Sequence, residues 1–423
     1  MSFLNCGSTS SKVSELTHSS RRKGYKLQEK KRSRPHSRHA HDSKNISTVS
    51  TMIEFENDYQ KYELLTVIGR GYNDAATVYL ARHIPTGQQI AIRQTYLESS
   101  KIDLSVLQNE IVLCRQLHHE SLLPLYTSFV HNNDIWTVMP LMAYGSCRDL
   151  IHAYFMSGLP EQAIAYILRD VLLALDYLHN RGIIHRAVKA SHILIEASGQ
   201  VCLAGMRNAY QMSRNGVKQK MAFDYPHTSK LLQWLSPEIL EQNLAGYNTK
   251  SDIYSVGITA CELANGYAPF SDMPATQMLL EKLNGIKPVL ADSSTIAALS
   301  AEQNITDSGV PSDSGIDTVE ANNSEKTGAL GYAYNRTFLN TFHQFVDICL
   351  EKNPESRPNT ASVLNHPFFK HLRRKTTEAL PALLHPVTPL SDVHVSKLPK
   401  EDPTIDDLGR DFEDLDMAVD WDF

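Results

Sequence analysis

The chain has 423 residues, 42% of them apolar and 21% charged, with a formal net charge of −6 at pH 7. This composition excludes a wholly disordered polymer and is enough for two packed lobes with tails. No run of about 18 apolar residues occurs and no apolar leader follows Met1, so a soluble intracellular protein with no membrane role is expected.

The first 50 residues hold eleven Lys and Arg against three Asp and Glu. Lys30-Lys31-Arg32-Ser33-Arg34 has the composition of a nuclear address, but no aromatics are interleaved to stack on bases. We therefore expect a basic disordered tail over 1–58 with no nucleic-acid role. From about Tyr59 the runs 62–68, 77–82 and 89–93 are short, alternating and β-branched, and they predict three strands. Thr86-Gly87 supplies hairpin-turn chemistry between the second and third. Leu104, Leu107, Ile111, Cys114 and Leu117 recur at helical steps, and strands follow near 125–130 and 135–139. Between Pro160 and Gly182, Ile164, Ile167, Leu168, Val171, Leu175 and Leu178 share one helix face. The stretches 250–284 and 338–372 read as helices, separated by a Ser/Asp-rich flexible insert over about 291–332. Residues 373–423 form an acidic tail ending in Trp421-Asp422-Phe423. The six cysteines lie far apart with no C-x-x-C pair, which suggests neither disulfides nor zinc.

The turn Ile68-Gly69-Arg70-Gly71 begins like a glycine loop whose amides cradle phosphate, which alone is weak evidence. It is followed by Ile90-Ala91-Ile92-Arg93, a helix carrying Glu110, and His185-Arg186-Ala187-Val188-Lys189-Ala190-Ser191-His192-Ile193-Leu194. Ser236-Pro237-Glu238, Ser251-Asp252-Ile253-Tyr254-Ser255-Val256-Gly257 and Arg357-Pro358 come next. In this order the set resembles the eukaryotic protein kinases over about 59–372. The fold this implies is α+β and bilobal, with a small β-rich lobe and a larger, mainly α lobe.

The departures from the kinase pattern point away from catalysis. Ala187 stands where the resemblance places the catalytic aspartate, and His192 where it places the metal-binding asparagine. Gly205-Met206-Arg207 stands at the metal-binding D-F-G, Arg93 at the strand lysine, and Asp74 at the third loop glycine. Losing a general base costs ~10² to 10⁴ in rate, and losing metal stabilisation costs several kcal/mol more. A kinase working at ~1 to 100 events per second would fall to about one per hour or slower. An atypical active kinase would need a substitute base, for which His192 is the nearby titratable candidate. A structural tether with an empty pocket is the other alternative.

The motifs quoted above, with the stretch Lys250 to Gly266 and the terminal Trp421-Asp422-Phe423, resemble more narrowly the sterile-20-related adaptor pseudokinases. Phe423 follows Asp422 here, where the family pattern ends Glu-Phe. The resemblance implies an inactive adaptor that allosterically activates a partner of the liver kinase B type. The complex would include the mouse protein 25 scaffold, and the partner would be drawn from nucleus to cytoplasm. It implies ATP bound without magnesium by Ile68, Gly69, Gly71, Val78, Ala91, Arg93, Pro140, Met142, Lys189, Leu194 and Arg207, with no metal site. It implies structural roles for Glu110, His185, Glu238, Asp252 and Arg357, and scaffold contacts by Trp421 and Phe423. Asp307-Ser308-Gly309-Val310-Pro311-Ser312 in the insert also resembles a phosphodegron, although a plain linker is favoured.

Overall fold

The structure is a computed structural model that describes residues 54–71, 75–98, 103–214, 217–226, 229–242, 244–295 and 336–392. Residues 1–53 of the basic tail, the body of the insert, the phosphodegron-like motif and Trp421-Asp422-Phe423 lie outside the described residues. The end of the stretch expected to be disordered, 54–58, is instead ordered: Phe55 stacks on Tyr126 and the Glu56 carbonyl accepts from the Tyr62 hydroxyl.

Five antiparallel strands build the first lobe: β1 (Tyr62–Gly71), β2 (Ala76–His83), β3 (Gln89–Tyr96), β4 (Thr127–His131) and β5 (Asp134–Pro140), in the order β1-β2-β3-β5-β4. The β2–β3 hairpin turns at Gly87, whose φ of 72° is a conformation that glycine adopts without a steric penalty. One face of the sheet buries Ala81, Ile90, Ile92, Trp136 and Val138. The other face receives α1 (Leu104–Gln116), which is started by Asp103 accepting from the Ser105 amide.

The second lobe is built on α2 (Cys147–Ala153), α3 (Glu161–Asn180), α4 (Pro237–Glu241), α5 (Lys250–Asn265), α6 (Ala275–Asn284), α7 (Asn340–Cys349) and α8 (Thr360–Leu364). All residues from Ser251 to Asn265 in α5 are buried, so this helix is the lobe's central post. It crosses α7 closely because Gly257 has no side chain: a Cβ there would lie 2.8 Å from the Leu350 side chain. Short strands β6 (Gly145–Ser146), β7 (Ile183–Ile184), β8 (Ile193–Ile195) and β9 (Val201–Leu203) carry the loops that face the first lobe. A further strand, β10 (Tyr210–Gln211), pairs with β7.

The stretch 250–284 is helical as expected, in two helices, because Gly266 caps α5 in the left-handed region and Pro274 precedes α6. Two further expected boundaries are corrected. The insert begins later than 291: Asp292 is fully buried and accepts from the Ser294, Thr295 and Phe338 amides and from His343. The acidic tail also begins later than 373, since α9 (Thr376–Leu383) packs on α3 and buries Leu380, with Leu384 just beyond it. Further on, the Leu390 amide donates to the Ala143 carbonyl at 2.8 Å. The acidic average of the tail conceals this apolar set. No helix among the described residues is long and apolar enough to cross a membrane.

Candidate functional site between the lobes

Where β1, β2, β3 and β5 face β8 and β9, one apolar cluster gathers side chains from both lobes. Val78, Ala91, Met139, Met142, Leu194, Cys202 and Ala204 pack together, with Ile68 and Leu123 against them. Five of these, Ile68, Val78, Ala91, Met142 and Leu194, are residues singled out from sequence. Met139, Cys202, Ala204 and Leu123 are additions; the first three flank or follow quoted motifs in strands whose inward positions could have been read from the pleat. Burial pushes the Cys202 thiol up to about 12, so it behaves as a small apolar group here. Gly69 and Gly71 lie in β1 opposite Val78 and Ala76, and Pro140 closes β5 opposite Ile90. The loop tip 72–74, including Asp74, lies outside the described residues.

Behind the cluster, Arg93 Nη1 donates to Glu110 Oε1 at 3.0 Å, with side chains only 4% and 7% exposed. This pair bolts α1 to the sheet through a charge-assisted bond. A cavity of about 40 Å³ lies beside it, lined in part by Thr137, Met139 and Gly205.

The loop after β7 is held from below by Asp252. Its carboxylate accepts from the His185 and Arg186 amides and from His179 Nε2, each at 2.8 Å. Burial alone would raise its pKa, but the His179 bond and the two imidazoles hold it below the usual carboxylate value. Burial lowers the His185 pKa below the ordinary imidazole value; its Nε2 donates to the Ala204 carbonyl at 2.9 Å, and its Nδ1 accepts from the Ala187 amide. The neutral ring therefore staples this loop to the end of β9.

Ala187 is fully buried in a second apolar cluster with Met212, Ala222, Leu231, Leu235 and Tyr247. His192 points its Nδ1 at the Ala187 carbonyl, 2.6 Å away. The same ring fills the space beside Gly205: a Cβ on Gly205 would lie 2.3 Å from His192 Nδ1. The two substitutions therefore fit each other, because the imidazole occupies the volume a side chain at 205 would need. The sequence names both residues, but it does not give this contact.

Lys189 is directed toward the helical lobe. Its Nζ lies 5.6 Å from the centre of the Trp234 ring, and Glu262 Oε2 beside it accepts from Trp234 Nε1 at 2.8 Å and from the Ala190 amide at 3.0 Å. The apolar cluster does not include it. Arg207 lies in a short turn, Met206–Asn208, packed near the start of α1. After the Ser105 hydrogen bonds, its charge helps hold the exposed Asp103 below the ordinary carboxylate value. Glu238 and Arg357 form a bidentate pair at 2.6 Å on both arms. No group of three His, Cys, Asp or Glu fit to hold a metal occurs among the described residues.

Residues 62–369 match the protein kinase domain. The chain is 46% identical over 385 residues to human STE20-related kinase adapter protein alpha, covering 90% of this chain and 88% of that protein. It is 48% identical over 347 residues to the chicken alpha protein, covering 81% and 88%. To human STE20-related kinase adapter protein beta it is 39% identical over 344 residues, covering 80% and 82%. The protein kinase domain match over 62–369, with relatives named as adapters at 39–48% identity over most of both chains, places this chain in the STE20-related kinase adapter family.

Proposed function

We propose that the chain is a catalytically inactive adaptor that binds and allosterically activates a Ser/Thr kinase of the liver kinase B type, together with the mouse protein 25 scaffold. One observation carries the inactive half of this reading. Ala187 is sealed in an apolar cluster and His192 fills the space beside Gly205, so the site has neither a base nor metal-binding oxygens at these positions. The retained Arg93–Glu110, Asp252–His185 and Glu238–Arg357 contacts all hold shape, which is what an allosteric partner needs. The names of the relatives support the adaptor half. Trp421 and Phe423 would anchor the scaffold, since aromatics two residues apart in an extended segment point the same way. The complex would shift the partner from nucleus to cytoplasm.

Purified partner kinase should gain activity on a peptide substrate when this chain and the scaffold are added, while this chain alone should transfer no labelled phosphate. Ala187→Asp should also be inactive alone, because it restores neither metal ligand. Binding without a gain in partner turnover would indicate a tether, and phosphotransfer by the chain alone would overturn the reading.

The apolar cluster has the chemistry to hold an adenine, with hinge backbone near Pro140 and Met142 as hydrogen-bonding groups. The metal positions do not fit magnesium. One aspartate plus one magnesium ion would place about +1 beside the phosphates, and Arg207 supplies a similar charge alone. ATP at about 100 times its Kd should stabilise the fold by ~2.7 kcal/mol, a rise in Tm of several degrees. The rise should be equal with magnesium and with a chelator, and smaller in Arg207→Ala. Stabilisation that requires magnesium would remove the charge-replacement argument.

A further inference from the structure

Arg186 follows His185 in the loop after β7 and keeps a left-handed backbone, φ 62°, which a non-glycine residue holds only with support. Asp252 holds its backbone amide, and the segment that follows the cleft holds its side chain. Nε donates to the Asn208 carbonyl at 2.5 Å. Nη1 donates to Asp224 Oδ2 at 2.8 Å, to the Asp224 carbonyl at 2.9 Å and to the Tyr247 hydroxyl at 2.9 Å. The Tyr247 hydroxyl in turn donates to the Asp224 carbonyl, and the Ala222 and Tyr247 backbones bond each other in both directions. The Tyr210 ring lies 5.2 Å from the guanidinium carbon. One arginine thus joins the turn at Asn208, the middle of the segment at Asp224 and the approach to α5 at Tyr247.

Kinase-fold segments of this kind are commonly ordered by a phosphorylated residue that pairs with arginine. We propose that Asp224 is a permanent stand-in for such a phosphate, so that the segment from Asn208 to Tyr247 keeps its place without phosphorylation. A carboxylate carries one negative charge where a phosphate carries about 1.5 to 2. Here the Asn208 carbonyl also accepts from Nε, and the Asp224 carbonyl and the Tyr247 hydroxyl accept from Nη1 beside the carboxylate. The Arg186 side chain is 8% exposed and that of Asp224 is 55% exposed, so the latch orders the segment locally and adds little to global stability. It goes beyond the adaptor reading and is tested on the isolated chain, so failure of either leaves the other standing.

Hydrogen exchange read on peptides spanning 208–225 tests the proposal on the full chain. Phosphatase-treated and untreated protein should exchange identically. Asp224→Ala should raise exchange in these peptides roughly tenfold while the Tm of the whole fold changes by no more than about 2 °C. Asp224→Glu should restore part of the protection. Arg186→Lys should resemble Asp224→Ala, and the two together should add little to either alone. Because Asp224 is half exposed, its variants should fold even if Arg186→Lys does not. Faster exchange after phosphatase treatment, or unchanged exchange in Asp224→Ala, would overturn the proposal.

Discussion

Arg357→Ala should lower the stability of the fold by roughly 3 to 5 kcal/mol, because it leaves the Glu238 carboxylate buried without its partner. The Arg357 side chain is fully buried, and besides both Glu238 oxygens it donates to the Glu351, Lys250 and Lys352 carbonyls. One side chain thus satisfies four residues in three separate parts of the chain, and alanine orphans all of them. In thermal unfolding the loss should appear as a fall in Tm of about 10 °C. Replacing both partners by leucine should recover part of that loss, since two apolar groups leave no uncompensated charge. If the single variant melts within a degree or two of the parent, the pair is not holding α4 and the loop before α8 together. The pair contains no group needed for phosphoryl transfer, so its presence in this chain fits selection for shape.

The architecture was legible where one residue type fixes one local outcome. Thr86-Gly87 marked a hairpin because Gly87 takes a positive φ there, and the apolar steps from Ile164 to Leu178 marked a helix because they share a face. Five of the nine residues in the interlobe cluster came from motif positions alone. What stayed hidden depends on contacts between distant segments. Lys282 is an example: nothing in Ala275–Asn284 marks it as internal, and lysine is ordinarily exposed. It is fully buried, donating to the Leu232, Gln233 and Leu235 carbonyls, while burial pushes its pKa well below the usual lysine value. The direction of Lys189 toward Trp234 was likewise invisible, since the loop motif fixes its position but not its neighbours. The packing of α9 was concealed because the acidic residues beyond 400 set the average of 373–423, while the short apolar set around Ala379, Leu380 and Leu384 lies well before them.

Gly205→Asp, the change that would restore a metal-binding carboxylate, should instead destabilise the protein and bind no magnesium. Gly205 has a φ of 84° and no room for a Cβ, which would meet His192 Nδ1 at 2.3 Å. The ring cannot yield cheaply, because Nδ1 donates to the Ala187 carbonyl at 2.6 Å and the residue is buried. Overpacking costs about 1 to 3 kcal/mol and a lost hydrogen bond about 0.5 to 1.5, so a total of roughly 2 to 4 kcal/mol is expected. Adding His192→Asn should remove the clash, so the double variant should be more stable than Gly205→Asp alone, a coupling that a double-mutant cycle reads directly. It should also gain two adjacent side-chain oxygens, and with them a magnesium-dependent component of any ATP-induced rise in Tm. Phosphotransfer should still be absent, because Ala187 offers no proton acceptor. A Gly205→Asp protein as stable as the parent would refute the steric coupling. Without that coupling, each change would be an independent loss; with it, glycine at 205 is the residue that histidine at 192 requires.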